Sequence, residues 1–474
     1  MPLPVISIVQ MREWEKATWA AGRTEADVIR RVGKAVADSA LRLTAPGDSI
    51  LILAGKGHNG DDARAAREHL IDRRVEILNV TDPKAALEEF AERTGAHGDV
   101  RPTGLIIDGL FGIGIDRPLD DDWKKLIKAI NETKLPVLAV DVPSGLNADT
   151  GEPQGAAVEG AVTLTVGAPK FGMLKQHAWQ YVGQLDVATD VGLIPCPHKS
   201  ELQWTLPDDF AGFPPRRLAA THKGNFGHLA IVAGSAGYHG AAVLAARGAQ
   251  RAQPGLITLF THQPVYPMIA SQLQSVMVGV WESALKLRDE FSAILVGPGL
   301  AAGTLPDEMK ITTQRLWRNT PVPMIVDASA LDWLPSGVTS SEAIGVITPH
   351  PGEAAVMLRA TAKEVQNDRL DALRQLSKRY GDCWVVLKGH QTLIGRSSGE
   401  ISVNSSGNPF LAQGGSGDVL GGYIAGFLAQ PALVRDAGLA IRYAVWQHGA
   451  TADALQARRK AWVVEDLVSE LGMA

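Results

Sequence analysis

Cysteine is nearly absent. Of 474 residues only Cys196 and Cys383 are thiols, far apart and without metal-ligand spacing. That removes a disulfide framework and a cysteine zinc site, and it suits a reducing compartment. A large excess of either charge is missing too: a net charge of -5 and a pI near 6.2 argue against a broad basic face, so no nucleic-acid partner is expected. Long apolar runs are also missing. The most hydrophobic stretch, 419–434, is short, broken by glycines, and carries Gln430 and Pro431, whereas a membrane span needs about 20 apolar residues. It predicts a buried helix and no membrane partner. The opening MPLPVISIVQMREWEK has no basic segment leading into an apolar one, so a cytoplasmic protein is expected. The 11 tryptophans form no stripe, which points to packing rather than to a stacking surface.

What is present is the composition of a globular chain, 45% hydrophobic and 20% charged, too long for one hydrophobic core. Short β-branched runs at 49–54, 75–80, 105–107 and 136–140 alternate with helical stretches, one of them predicted at 62–73. A second alternation starts at His228, with strands predicted at 229–232, 294–296, 324–326 and 385–387. Between the two lie Pro195, Pro197, Pro207, Pro214 and Pro215 without apolar periodicity. The expected architecture is α/β throughout. A Rossmann-like αβα sandwich is expected over 1–200, a linker leading into the next domain over 201–215, and a second αβα domain over 216–474. No internal repeat is evident.

The most informative stretch is Gln413-Gly-Gly-Ser-Gly-Asp418, which runs on to Leu428. Leu420, Ile424, Phe427 and Leu428 fall at i, i+4, i+7 and i+8, so a buried helix is predicted to begin near Asp418. Glycines ahead of a helix let backbone N–H groups approach a ligand, and the helix start adds partial positive charge; together these suit phosphate. Asp418 then stands where a carboxylate accepts a proton from a hydroxyl attacking phosphorus. Taken alone, the motif reads equally well as a turn whose aspartate caps the helix. Three further turns weigh against that. Lys388-Gly-His-Gln-Thr392, Thr348-Pro-His-Pro-Gly-Glu353 and Gly297-Pro-Gly299 each follow an apolar run, and ligands of open α/β sheets gather at strand ends.

Gly414-Gly-Ser-Gly-Asp418 resembles the anion-hole and base motif of the ribokinase-like fold. Joined by those three turns, by Val326-Asp-Ala-Ser-Ala-Leu331, His222-Lys-Gly224 and Tyr238-His-Gly-Ala241, it is similar to the ADP/ATP-dependent NAD(P)H-hydrate dehydratases over nearly all of 216–474. The resemblance implies a ribokinase-like domain acting on NADH or NADPH that carries water at C6 of the nicotinamide ring. A nucleotide's terminal phosphate passes to the hydroxyl and then leaves, restoring the dihydropyridine. It implies Asp418 as base, Gly414, Gly415, Ser416 and Gly417 as anion hole, and Lys388, Gly389, His390, Gln391 and Thr392 completing the ADP or ATP site. It further implies Ala241, Gly299 and His350 beside Asp418 at the hydrate, with Glu353 organising Mg2+ through water. The family's Met-Ala-Thr ahead of the glycines reads Leu411-Ala-Gln413 here, and Ser416 replaces threonine.

In the first half, Gly55-Lys-Gly-His-Asn-Gly60 follows the run ending at Ala54, and Asp82 stands about 20 residues on, as in a dinucleotide fingerprint. Asp61 and Asp62 oppose a pyrophosphate at that helix start. At about 4 Å and an effective dielectric near 20, like charges repel by roughly 4 kcal/mol. Asp108 and Asp141 also follow strand-like runs, which suggests a polar pocket that holds a cation and moves protons.

Asp108-Gly-Leu-Phe-Gly-Ile-Gly114 and Asp141-Val-Pro-Ser-Gly-Leu-Asn-Ala-Asp-Thr-Gly151 resemble the NAD(P)H-hydrate epimerase domain, which interconverts R and S hydrates and in many bacteria precedes the dehydratase in one chain. By resemblance Asp141 is catalytic, and K+ is held by Asn59, Asp108 and Ser144. The hydrate then contacts His58, Asn59, Gly60, Asp61, Asp62, Gly112, Ile113, Gly114, Ile115, Asp116, Arg117, Pro118 and Asp141. His58 stands where the family has asparagine, Asp61 where it has glycine, Ile113 where threonine is usual, and Ile29-Arg-Arg-Val-Gly33 where it has Met-Glu-Asn-Ala-Gly. A side chain at Asp61 matters if the backbone there has positive φ.

The whole chain thus resembles a bifunctional lyase and isomerase of small-molecule substrates, expected to be a homo-oligomer. The competing reading is a ribokinase-like kinase of a small alcohol behind a non-catalytic binding or dimerisation module.

Overall fold

The computed structural model describes residues 3–94, 103–115, 117–282, 287–337 and 344–473. It forms two compact units, residues 3–201 and 202–474. Among the described residues no helix is long and apolar enough to cross a membrane.

The first unit is built on a six-stranded, all-parallel sheet. Across the sheet the strands run Arg74–Asn79, Ser49–Ala54, Thr103–Gly109, Val137–Val140, Val162–Val166 and Gln184–Ala188. Residues 50–54 are all buried, as expected of a parallel strand covered on both faces. The chain steps from Ser49–Ala54 to the edge strand Arg74–Asn79 and then returns to Thr103–Gly109 on the other side. That reversal opens a crevice beyond Ala54 and Gly109, the place where ligands bind in open α/β sheets.

Helix Glu25–Leu43 buries Val28, Val32, Val36 and Ala40, one face at i, i+4, i+8 and i+12. Each fully buried valine is worth roughly 1.5–3 kcal/mol over its exposed state. The helix predicted at 62–73 sits earlier. It spans His58–Ala65 and passes into a 3-10 turn, Ala66–His69. Gly57, extended at φ -95 and ψ -175, caps the helix as the chain passes from strand into helix. A turn closed by Arg73 N–H donating to Leu70 O (3.1 Å) then ends it ahead of the next strand.

In the second unit the sheet order is Leu202–Trp204, Ile401–Val403, Leu393–Gly395, Trp384–Leu387, Gly345–Ile347, Met324–Val326, Ala293–Val296, His228–Val232, Leu256–Thr261 and Met277–Val280. Among the described residues of this unit, only the two pairings made by Leu393–Gly395 are antiparallel. Leu202–Trp204, within the stretch expected as linker, pairs with Ile401–Val403 and is anchored by Trp204, which is 2% exposed. A buried indole is enough to fix so short a strand.

The winding reverses between His228–Val232 and Ala293–Val296, so the loops after them and after the neighbouring strands converge at one sheet end. Helix Ser416–Leu428, predicted from Asp418, is buried from Val419 to Leu428. It lies against helix His239–Arg251 so closely that a Cβ on Gly422 would meet Ala245 O at 1.9 Å, and one on Gly248 would meet Val419 O at 2.2 Å.

Candidate active sites

A cavity of about 560 Å³ occupies the crevice of the first unit. His58, Asn59 and Asp62 line it from the helix start, Gly112, Ile113, Gly114, Ile115 and Arg117 from the loop after Thr103–Gly109, and Asp141 from the end of Val137–Val140. Gly60, Asp61 and Pro118 are not part of the lining, and Asp116 lies outside the described residues. Gly60 is buried, and Asp61 turns to Arg64, whose Nη1 is 2.7 Å from its carboxylate. Asp61 lies inside the helix without positive φ, so a side chain there costs no backbone strain. His58 Nδ1 meets Glu25 at 2.5 Å, both on the solvent side.

Two N-terminal helices supply more of the lining, and of the residues they bring only Ile29 and Val32 fall in a stretch set against a family motif, 29–33. Helix Ile8–Ala20 brings Met11, Arg12, Glu15 and Trp19, and Glu25–Leu43 brings Glu25, Val28, Ile29 and Val32. In the first of these helices the local signal is that Met11, Glu15 and Trp19, four apart, share a face. The cavity is rich in carboxylates. Burial, then Asp141 and the acidic Asp61, Glu15 and Glu25, push Asp62 up to about 8. Burial and Asp141 also raise Glu15. Asp141 itself is paired with the fully buried Lys170, Nζ to Oδ1 2.6 Å.

Beneath the cavity Asn59, Asp108 and Ser144 are drawn together. Asn59 Nδ2 donates to Phe111 O (2.9 Å), and Phe111 N–H donates to Ser144 Oγ (2.9 Å). The Ser144 hydroxyl and N–H both donate to Asp108, at 2.6 and 2.8 Å. Asp108 is wholly buried and, among the described residues, makes no ion pair, so burial lifts it to about 6 against the pull of those hydrogen bonds. A buried carboxylate among neutral oxygen ligands fits a hard monovalent cation.

In the second unit Gly415, at φ 97, turns the chain into helix Ser416–Leu428 and sets Asp418 in its first turn. The changed residues of this turn are all put to use. Ser416 Oγ donates to Leu411 O (2.8 Å) and Gln413 Nε2 to Phe410 O (2.7 Å). His448, driven down to about 4 by burial, is neutral and holds Ser416 O at 3.1 Å.

Asp418 is pushed up to about 7 by burial, then by Asp327 and Glu353, against the pull of Lys388. Lys388 stands among these acids, with Nζ 2.9 Å from Asp327 and 3.8 Å from Glu353. Burial lowers its pKa, but Asp327, Glu353 and Asp418 outweigh that and raise it. Asp327, 1% exposed, also accepts from Thr348 Oγ1 at 2.6 Å. In sequence it is read only as part of 326–331, with no role of its own, although it follows strand Met324–Val326 as the other candidate residues follow theirs.

The turn at Lys388, Gly389, His390, Gln391 and Thr392 is propped by the largely buried Arg369, which donates to His390 O (2.6 Å) and Leu387 O (3.1 Å). Thr392 Oγ1 closes it on Gly389 O at 2.8 Å. His350 caps helix Pro351–Leu358. Its Nδ1 accepts from Gly352 and Glu353 N–H at 3.0 and 3.3 Å, while Glu353 accepts from His350 N–H at 2.8 Å. The other ring nitrogen, Nε2, lies 3.7 Å from Glu353 Oε1. Gly299 abuts helix His239–Arg251 at Ala241, and its carbonyl accepts from buried Ser235 Oγ at 2.6 Å. A glycine-rich helix start, a cation among carboxylates and a raised aspartate together suit phosphoryl transfer to a hydroxyl.

Known proteins divide along the same lines. The family described as NAD(P)H-hydrate dehydratase matches residues 229–471, and that described as YjeF-related protein N-terminus matches 25–172. A bifunctional NAD(P)H-hydrate repair enzyme of Gloeobacter violaceus is 32% identical, over 99% of this chain and 97% of its own. One of Coxiella burnetii is 33% identical over 89% of each. The ADP/ATP-dependent NAD(P)H-hydrate dehydratase of Bacillus subtilis, co-crystallised with ATP and Mg2+, is 30% identical, with a TM-score of 0.50 over 55% of this chain and 92% of its own. A ribokinase-like superfamily protein of Enterococcus faecalis, 24% identical with a TM-score of 0.50, shares the fold over 59% of this chain and 97% of its own. With a relative matched end to end and both halves assigned, the chain belongs to the bifunctional NAD(P)H-hydrate repair enzymes, an epimerase unit followed by an ADP/ATP-dependent dehydratase.

Proposed function

We propose that each unit performs one step in repairing hydrated NADH and NADPH, through the residues described above. The observation that carries the dehydratase step is Asp418, raised to about 7 at a glycine-rich helix start beside Lys388. The C6 hydroxyl of the S-hydrate attacks the terminal phosphorus of ADP or ATP while Asp418 accepts its proton. The shortened nucleotide leaves. The C6–O bond then breaks, C5 loses a proton, and the C5=C6 double bond and inorganic phosphate result.

Backbone N–H groups of Gly414, Gly415, Ser416 and Gly417 hold the phosphoryl group, and the turn from Lys388 to Thr392 holds the nucleotide. Ala241, Gly299 and His350 Nε2 border the hydrate. Glu353, near Lys388 and Asp418, would orient water on Mg2+. That ion would supply charge neutralisation for the phosphates, and the Bacillus subtilis relative was crystallised with ATP and Mg2+.

In the first unit, epimerisation requires the C6–O bond to break and re-form on the other face. The electron pair on N1 forms an N1=C6 bond as Asp62, protonated at neutral pH, gives its proton to the leaving oxygen. Water then adds to the opposite face, the pair returns to N1, and Asp141 takes the water's proton. Solvent returns that proton to Asp62. Asn59, Asp108 and Ser144 would hold K+, which would supply positive charge beside the loop that Asn59 and Ser144 tie at Phe111. The scarcity of cysteine supports a cytoplasmic setting for this chemistry.

The test is incubation of purified R and S hydrates with the protein and ADP or ATP, following absorbance of the restored dihydropyridine. Release of an intact phosphorylated hydrate would favour a kinase instead.

A further inference from the structure

One buried cation near the first cavity has no part in the scheme above. Lys170 is 0% exposed, and its ammonium donates to Asp141 Oδ1 at 2.6 Å, Thr165 Oγ1 at 2.8 Å and Val166 O at 3.1 Å. Asp141 Oδ1 accepts two more bonds, from Val166 N–H at 3.1 Å and Thr165 Oγ1 at 3.2 Å. Among the described residues no hydrogen bond reaches Oδ2, yet Asp141 lines the cavity. Its backbone is held at φ 60, a conformation a non-glycine residue keeps only when its surroundings fix it. One oxygen is saturated and the other is left for a ligand.

We propose that Lys170 is the positioning residue of the epimerase pocket: it ties Asp141 down by Oδ1 and presents Oδ2 to the substrate as proton acceptor. This rests on the epimerase reading. The other charged groups around Asp141 make a cation necessary. Asp62 faces it from helix His58–Ala65 and Glu15 from Ile8–Ala20, with Asp61, Glu25, His58 and Arg12 further round. Burial, and then the Asp141 carboxylate, drive Asp62 and Glu15 toward the acid form, while Asp141 is the carboxylate that the buried ammonium touches.

The test uses the full-length protein, with R-to-S conversion followed by chromatographic separation of the two hydrates. Lys170→Met should lower kcat by at least about 10-fold with little change in KM, the scale of a misplaced general base. Its acid limb should move up by about one pH unit or more, because loss of a close opposite charge makes Asp141 harder to ionise. Dehydration of S-hydrate by the other unit should be unchanged. Adding Lys170→Met to Asp141→Asn should cause no further loss; a further loss would mean that Lys170 acts independently and would overturn the proposal.

An unaltered pH profile in Lys170→Met would overturn it as well. If that variant unfolds the first unit, Thr165→Val removes only the hydroxyl bridging Lys170 and Asp141. A smaller shift in the same direction is then expected, and a profile superposing on the natural protein's counts against the role. A natural protein that does not accelerate R-to-S conversion at all would sink the epimerase reading itself, a different failure.

Discussion

At the scale of single residues, environment sets chemistry. Asp418 and Asp62 are ordinary carboxyls by type, but burial and acidic neighbours raise them to about 7 and about 8. The base role proposed for Asp418 requires it ionised, so kcat/KM for S-hydrate dehydration should climb as pH rises through about 7. Asp418→Asn should retain nucleotide binding and lose roughly 100-fold or more in turnover, the scale of general-base removal. Near-normal turnover of that variant would reduce Asp418 to a helix cap.

For Asp62 the consequence is one of stability. Its folded pKa lies above the unfolded value, so the unfolded chain binds fewer protons between the two, and stability falls as pH rises from about 4 to about 8. Asp62→Asn removes that liability. Its melting temperature should exceed the natural protein's by a margin that widens from pH 5 to pH 8. At pH 8 a gain of about 1 kcal/mol or more, roughly 2–4 °C for a unit of this size, is expected. A constant margin in calorimetric scans would show that Asp62 is not the titrating group.

At the scale of elements, turns and helix contacts hold these groups in place. Lys388 follows strand Trp384–Leu387 and stands between Asp327, Glu353 and Asp418. Lys388→Ala should raise the Michaelis constant for ADP or ATP and, because Lys388 lowers Asp418, carry the acid limb of dehydration to higher pH. Unchanged nucleotide affinity by calorimetry would remove this turn from the nucleotide site. The helix bearing Asp418 owes its position to backbone contact with His239–Arg251 at Gly422 and Gly248. Gly422→Val should push the helices apart and cost at least about 1–3 kcal/mol, the usual penalty for overpacking a core. Dehydratase activity should fall with it. Wild-type stability in urea would contradict so close a crossing.

At the scale of the whole molecule, two units carry separate sites, and the substrate's configuration tells them apart. Asp141→Ala should abolish accelerated repair of pure R-hydrate and leave S-hydrate dehydration intact. Equal loss on both hydrates would show that the substitution acts through folding rather than through the first site.

What was legible in the sequence is what depends on neighbours along the chain. The glycine turn before Asp418, the helix periodicity of Leu420, Ile424 and Phe427, and the strand-end turns at Lys388, Asp108 and Asp141 are local patterns, and the structure places each at a strand or helix end. The helix after Gly57 was predicted four residues late, because the glycines there read as a loop while the backbone was already turning.

Tertiary structure alone decided the rest. Glu15 and Arg12 enter the first cavity because helix Ile8–Ala20 lies across it, a placement no local pattern encodes. Lys170 is 29 residues from Asp141, Lys388 is 61 from Asp327, and Arg369 reaches the carbonyl of His390 across 21. Such pairs are fixed by the order in which strands pack, and the charge state of each carboxylate follows from how deeply that packing buries it.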